Sequence, residues 1–214
     1  MRRRGLPVLL AATPSPALAH DAFGDLGPFY AGLLHPLADP LQAALVVGTA
    51  AFLAGRPIEI ARVALPVFVA ATALGLGLLG WRLGLVPAPL LLAAGAVLIG
   101  LAATLPARWT PVWASLALVA VTGALAGLAP GQPDGGTVQP LLGGLLGIGI
   151  LTALAWAGLD ALARRLAPIA PAIAGSWVAA IGMLAGAFAL QPASEGDAAA
   201  QLDDGGALAA GGDR

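Results

Sequence analysis

Both histidines of this 214-residue chain, His20 and His35, fall in one stretch, HDAFGDLGPFYAGLLHPLADP, with Asp21, Asp25 and Asp39 beside them. Imidazole nitrogen and carboxylate oxygen together suit Ni, Co, Zn, Cu or Mn ions better than Cu(I) or an iron–sulfur cluster. The chain has no Cys, which removes thiolate metal sites, disulfides and Cys nucleophiles at once. Any metal site must then use nitrogen and oxygen donors, and the candidate ligands are His35, Asp39, His20, Asp21 and Asp25.

The setting of His35 and Asp39 is H-P-L-A-D-P. Each precedes a proline, which biases both away from right-handed helical geometry. Pro36 and Pro40 lack the N–H groups that would otherwise bond the carbonyls of Gly32 and Pro36. A kink or break is therefore predicted in the first apolar segment. In lipid, unpaired backbone is tolerated only where it is buried in protein or lines a watery cavity, and broken helices with freed carbonyls bind ions in transporters. One reading thus joins an imidazole, a carboxylate and freed carbonyls into an ion site. The other is structural: His35 N-caps a helix starting at Pro36, and Asp39 meets the positive end of its dipole. Upstream, His20, Asp21 and Asp25 read either as ion-collecting groups or as a polar linker.

The elements that must position these residues are apolar. Hydrophobic residues make up 59% of the chain, charged ones 10%, and mean hydropathy is +0.90. A water-soluble fold could not cover so much apolar surface, so the fold class is an all-α polytopic membrane bundle. Windows of about 20 apolar residues give six transmembrane helices: Phe29 to Ala54, Val63 to Trp81, Ala88 to Ala107, Val112 to Ala129, Pro140 to Ala163, and Ala167 to Leu190. The loops between them are short and punctuated by Gly, Pro or Arg, which makes sequential helices antiparallel neighbours in one bundle. Glycines within the spans let helices approach closely, since packing holds them together in lipid.

The N-terminus, MRRRGLPVLLAATPSPALA, has the basic start, short apolar core and A-x-A ending of a cleaved signal peptide over residues 1–19. Residues 20–190 then form the six-helix domain. Cleavage after Ala19 makes His20 the mature N-terminus, outside the cytoplasm. Alternation of the loops then puts Arg56, Arg62, Arg108, Arg164 and Arg165 inside, against Arg82 and Arg214 outside. That asymmetry agrees with the positive-inside rule. Residues 191–214 follow as an external tail, acidic, rich in Ala and Gly and predicted disordered.

Other polar residues carry less. Asp160 stands four residues before Arg164 and Glu59 three before Arg62, spacings that form ion pairs on a helix without any functional role. Ser115 and Ser176 lie within spans, but neither sits in G-x-S-x-G, and no P-loop occurs. An enzyme is not expected. Ten basic residues, all Arg, against eleven acidic ones leave no electrostatic footprint for nucleic acid.

From Ala19 to Ala54 the chain resembles the HupE/UreJ family of small bacterial membrane proteins associated with hydrogenase and urease systems. The resemblance rests on the ending A-L-A-H, the lead-in AFGDLGPFYAG, the motif GLLHPL at 32–37 and the six Gly- and Ala-rich spans. It implies a multi-pass protein of the bacterial inner membrane with periplasmic N- and C-termini. It also implies a permease or uptake accessory for a divalent metal ion, nickel or cobalt, with no resident cofactor. Its partners would be the lipid bilayer, the metal ion and a second copy or a membrane-complex partner. Better-known members continue to an Asp-His pair where this chain has Leu41 and Gln42, and they carry a later His-rich motif absent here. Carried over position by position, His35 and His20 match the family. The alternative expectation is a non-transporting membrane scaffold or assembly partner.

Overall fold

The computed structural model describes residues 27–80, 87–130, 138–165 and 167–191. The expected signal peptide, the upstream residues His20, Asp21 and Asp25, and the acidic tail lie outside them, apart from Gln191. Among the described residues there are seven α-helices, one 3-10 turn and no strand. The helices are α1 (Gly27–Ala38), α2 (Pro40–Ala54), α3 (Ile58–Gly80), α4 (Pro89–Thr104), α5 (Val112–Leu128), α6 (Gln139–Arg165) and α7 (Ala170–Ala189).

The first apolar segment is two helices, α1 and α2, bent by 73° at Asp39. The predicted break is real, and its place follows from proline chemistry. Pro36 is accommodated inside α1, whereas Pro40 opens α2 at the position where a missing N–H costs nothing.

Helices α3, α6 and α7 are long and apolar enough to cross a membrane, and the bent α1–α2 pair makes a fourth candidate span. The remaining two expected spans are the shorter apolar helices α4 and α5, of 16 and 17 residues. At 1.5 Å per residue these run about 24 to 26 Å, a few Å less than a hydrocarbon core of about 30 Å, a mismatch that local thinning of the bilayer accommodates. Pro106 and Pro111 bracket the connection and trim both helices. Large apolar side chains, among them Leu74, Trp177, Met183, Leu184 and Phe188, point outward. In a multi-pass membrane protein such a surface is covered by acyl chains.

Helix α2 is the centre of the bundle. Leu45, Ala50, Ala51, Phe52 and Leu53 on it are fully buried, in a core shared with Ile99 of α4, Val119 and Ala126 of α5, Ile148 of α6 and Val178 of α7. Around it the helices pair at backbone distance. A Cβ on Gly143 or Gly147 of α6 would overlap the carbonyl oxygen of Phe29 or Leu33 on α1, and one on Gly32 would overlap that of Pro140. Helices α4 and α7 meet the same way, where a Cβ on Gly100 would lie 2.6 Å from the amide nitrogen of Ala179. These glycines are what let α1 lie flat on α6.

Asp160 and Arg164 form the expected i,i+4 ion pair on α6. Glu59 and Arg62 do not pair; both are exposed in the first turns of α3, where an ion pair gains little and Glu59 is already favoured by the helix dipole.

Candidate functional site

The break is organised by three side chains, and each answers a local requirement. Asp39 is extended, with φ −96° and ψ 110°, and its Oδ1 accepts hydrogen bonds from the amides of Leu41 at 2.9 Å and Gln42 at 3.2 Å. It is the N-cap of α2, a role worth about 1 kcal/mol. The structural reading of the sequence put the cap at His35 and the helix start at Pro36; the structure moves both four residues on. A short carboxylate accepts two neighbouring N–H groups from the N-cap position, which a bulky ring with one acceptor does not.

His35 occupies the last turn of α1, half-buried, and its Nδ1 lies 3.1 Å from Oε1 of Gln42. Gln42 is fully buried, and its Nε2 donates to the carbonyl of Ala126 in the last turn of α5 at 2.7 Å. That carbonyl needs an outside donor, because the residue four positions on is Pro130, which has no N–H. Gln42 thus ties together His35 through its side chain, Asp39 through its backbone, and α5 through Ala126.

The electrostatics of the bend favour a cation on the His35 side. His35 lies in the C-terminal turn of α1 and faces, across Gln42, the C-terminal turn of α5. Both helix ends carry negative partial charge, while the positive end of α2 is met by Asp39. Broken helices place ions at such C-terminal ends.

At its other end α2 uses a different side chain for the same task. Arg56, just past α2, donates from its two terminal nitrogens to the carbonyls of Leu105 and Ala102, each at 2.9 Å. Ala102 also stands four residues before a proline, Pro106. The guanidinium stacks 4.2 Å over Phe52, and its Nε has no partner among the described residues. Burial lowers the Arg56 pKa from its ordinary value, and guanidinium stays charged regardless. Between the two ends Thr49 meets Thr122 of α5, Oγ1 to Oγ1 3.2 Å. Gln42, Thr49 and Arg56 are seven residues apart, so they form one buried polar stripe along α2.

Of the five candidate ligands the structure describes His35 and Asp39 and brings both to Gln42. Among the described residues no three His, Cys, Asp or Glu side chains gather closely enough to hold a metal ion. The donors at the bend are one imidazole, one carboxylate already engaged through Oδ1, and the amide and backbone oxygens around them. The Nε2 of His35 makes no hydrogen bond to any described residue. Ser115 is buried and its hydroxyl has no partner among the described residues, but it stands eleven residues before Ala126 on α5. That is about 16 Å along the helix axis, so it forms no dyad with His35.

Gln42 is the residue that sequence reasoning passed over. The signal was its seven-residue spacing from both His35 and Thr49. The family model described as HupE / UreJ protein matches residues 8–185. No curated protein and no solved structure matches the chain. The match spans most of the chain, bend and bundle included, and the protein belongs to the HupE/UreJ family.

Proposed function

We propose that this protein is a permease, or an uptake accessory, for a divalent transition-metal ion, nickel or cobalt, in the bacterial inner membrane with both termini periplasmic. The observation that carries the reading is His35: an imidazole at a 73° break in a membrane helix, beside two helix C-termini, with Nε2 unbonded to any described residue. His20, Asp21 and Asp25 collect the ion on the outer side, and His35 receives it at the bend. Asp39 supplies charge close to that point while its Oδ1 holds the N-terminus of α2. One imidazole with a few oxygen donors binds an ion weakly enough to release it, as conduction requires. Release inward follows a rearrangement of the bundle about α2.

Accumulation of Ni2+ and Co2+ in cells expressing the protein or its His35→Ala variant, at matched membrane levels, tests this reading. Metal-dependent accumulation that falls in the variant supports it; equal accumulation contradicts it. The absence of a three-ligand cluster among the described residues favours a second reading, a membrane scaffold for a partner complex. Deletion that leaves metal accumulation intact while a membrane complex is lost would support the scaffold.

A further inference from the structure

We infer that Gln42 fixes His35 as its Nδ1–H tautomer, so that Nε2 is the atom offered to a metal ion; only the second half rests on the metal reading above. The constraint originates at Pro130. Because it has no N–H, the carbonyl of Ala126 has no donor within α5. Inside an apolar bundle such a carbonyl must be satisfied by another group. The atom of Gln42 that lies 2.7 Å from it must therefore be the amide nitrogen, since the reversed amide would set two acceptor oxygens against each other. Burial of Gln42 keeps water from mediating an alternative.

With the nitrogen committed to Ala126, Oε1 faces Nδ1 of His35 at 3.1 Å. An amide oxygen only accepts, so Nδ1 carries the proton. A neutral imidazole holds one N–H, and Nε2 is left with its lone pair. The arrangement is the one in which the second ring nitrogen of a metal-binding histidine is held by an outer partner. Here that partner is a neutral amide, which orients the ring without adding charge behind it. Pro130, at the end of α5, thereby sets a proton on α1 through one buried side chain.

The test is the nitrogen NMR spectrum of 15N-histidine-labelled protein in lipid nanodiscs, at a pH where the imidazole is neutral, with His35→Ala supplying the assignment. The expected spectrum has a protonated Nδ1 and an unprotonated Nε2 at His35. In Gln42→Leu the ring should move to the Nε2–H form or a mixture, and Gln42→Glu with its carboxyl protonated, so that the O–H donates to Ala126 and the carbonyl oxygen accepts from the ring, should restore Nδ1–H. A wild-type Nε2–H tautomer would overturn the inference, as would a tautomer unchanged in Gln42→Leu. If Gln42→Leu does not fold, the wild-type spectrum and Gln42→Glu still decide it.

Addition of Ni2+ should perturb Nε2 first, with apparent affinity about 10- to 100-fold weaker in Gln42→Leu, as for other outer-shell partners. Perturbation first at Nδ1 overturns the ligand assignment. No effect of Ni2+ on either nitrogen, with Nδ1–H intact, overturns the ligand half and the metal reading together while the tautomer half stands.

Discussion

The two ends of α2 perform the same structural task with different chemistry. At its N-terminal end Gln42 donates to Ala126, whose carbonyl has no donor on α5 because Pro130 stands four residues on; past its C-terminal end Arg56 donates to Leu105 and to Ala102, whose carbonyl also accepts from the Leu105 amide. Arginine has only donors, so once its terminal nitrogens are engaged it can steer nothing that donates. Glutamine keeps an acceptor, and that acceptor holds an imidazole. The Arg56 end is thus a closed latch between α2 and α4, while the Gln42 end is a latch that also orients His35. One end serves stability alone, and the other also holds the histidine on which the proposed function rests.

Substitutions can separate the ends. The largest effect is expected for Gly147→Leu, whose side chain would occupy the position of the Leu33 carbonyl; α1 should leave α6, and folded protein should fall steeply in a detergent-stability assay. Arg56→Ala should destabilise by about 2 to 3 kcal/mol, because charged hydrogen bonds to two helix-terminal carbonyls are lost. Its metal accumulation per folded molecule should stay unchanged, which would mark the latch as purely structural. Gln42→Leu should destabilise by about 1 to 3 kcal/mol through the unpaired Ala126 carbonyl, and here accumulation per folded molecule should drop as well. A fall in accumulation for Arg56→Ala, or none for Gln42→Leu, would break the contrast.

Asp39 sharpens it. Asp39→Ala removes the cap of α2 and should destabilise by about 1 kcal/mol, whereas Asp39→Asn keeps the cap and should stay within about 0.5 kcal/mol of wild type. Reduced metal accumulation in Asp39→Asn would then report the carboxylate's charge alone.

What the sequence disclosed, and what it withheld, divides along local and tertiary chemistry. The bend between α1 and α2 was legible because proline acts on its own backbone neighbours, and the apolar segments were legible because each helix is apolar enough to show in a window. The position of the cap was not, since Pro36 fits inside α1 and only the packed structure shows Asp39 accepting from Leu41 and Gln42. The length of α4 was overestimated because hydropathy continues to Ala107 while the helix stops at Thr104, before Pro106; α5 ends at Leu128, within one residue of the expected Ala129. The part played by Gln42 was the least legible. It depends on Ala126, 84 positions away in the chain, and that pairing exists only once α5 lies against α2. A histidine and an aspartate announce metal chemistry by type; the glutamine that aims the histidine does not.

The central claim is that His35 is the side chain that receives a transported metal ion. Its most direct test is accumulation of Ni2+ in cells expressing wild-type protein or His35→Ala at equal membrane levels, with Arg56→Ala measured alongside. The account predicts at least a tenfold fall for His35→Ala, on the order expected for loss of a ligand or its outer partner, and no fall per folded molecule for Arg56→Ala. Equal accumulation by wild type and His35→Ala would contradict it.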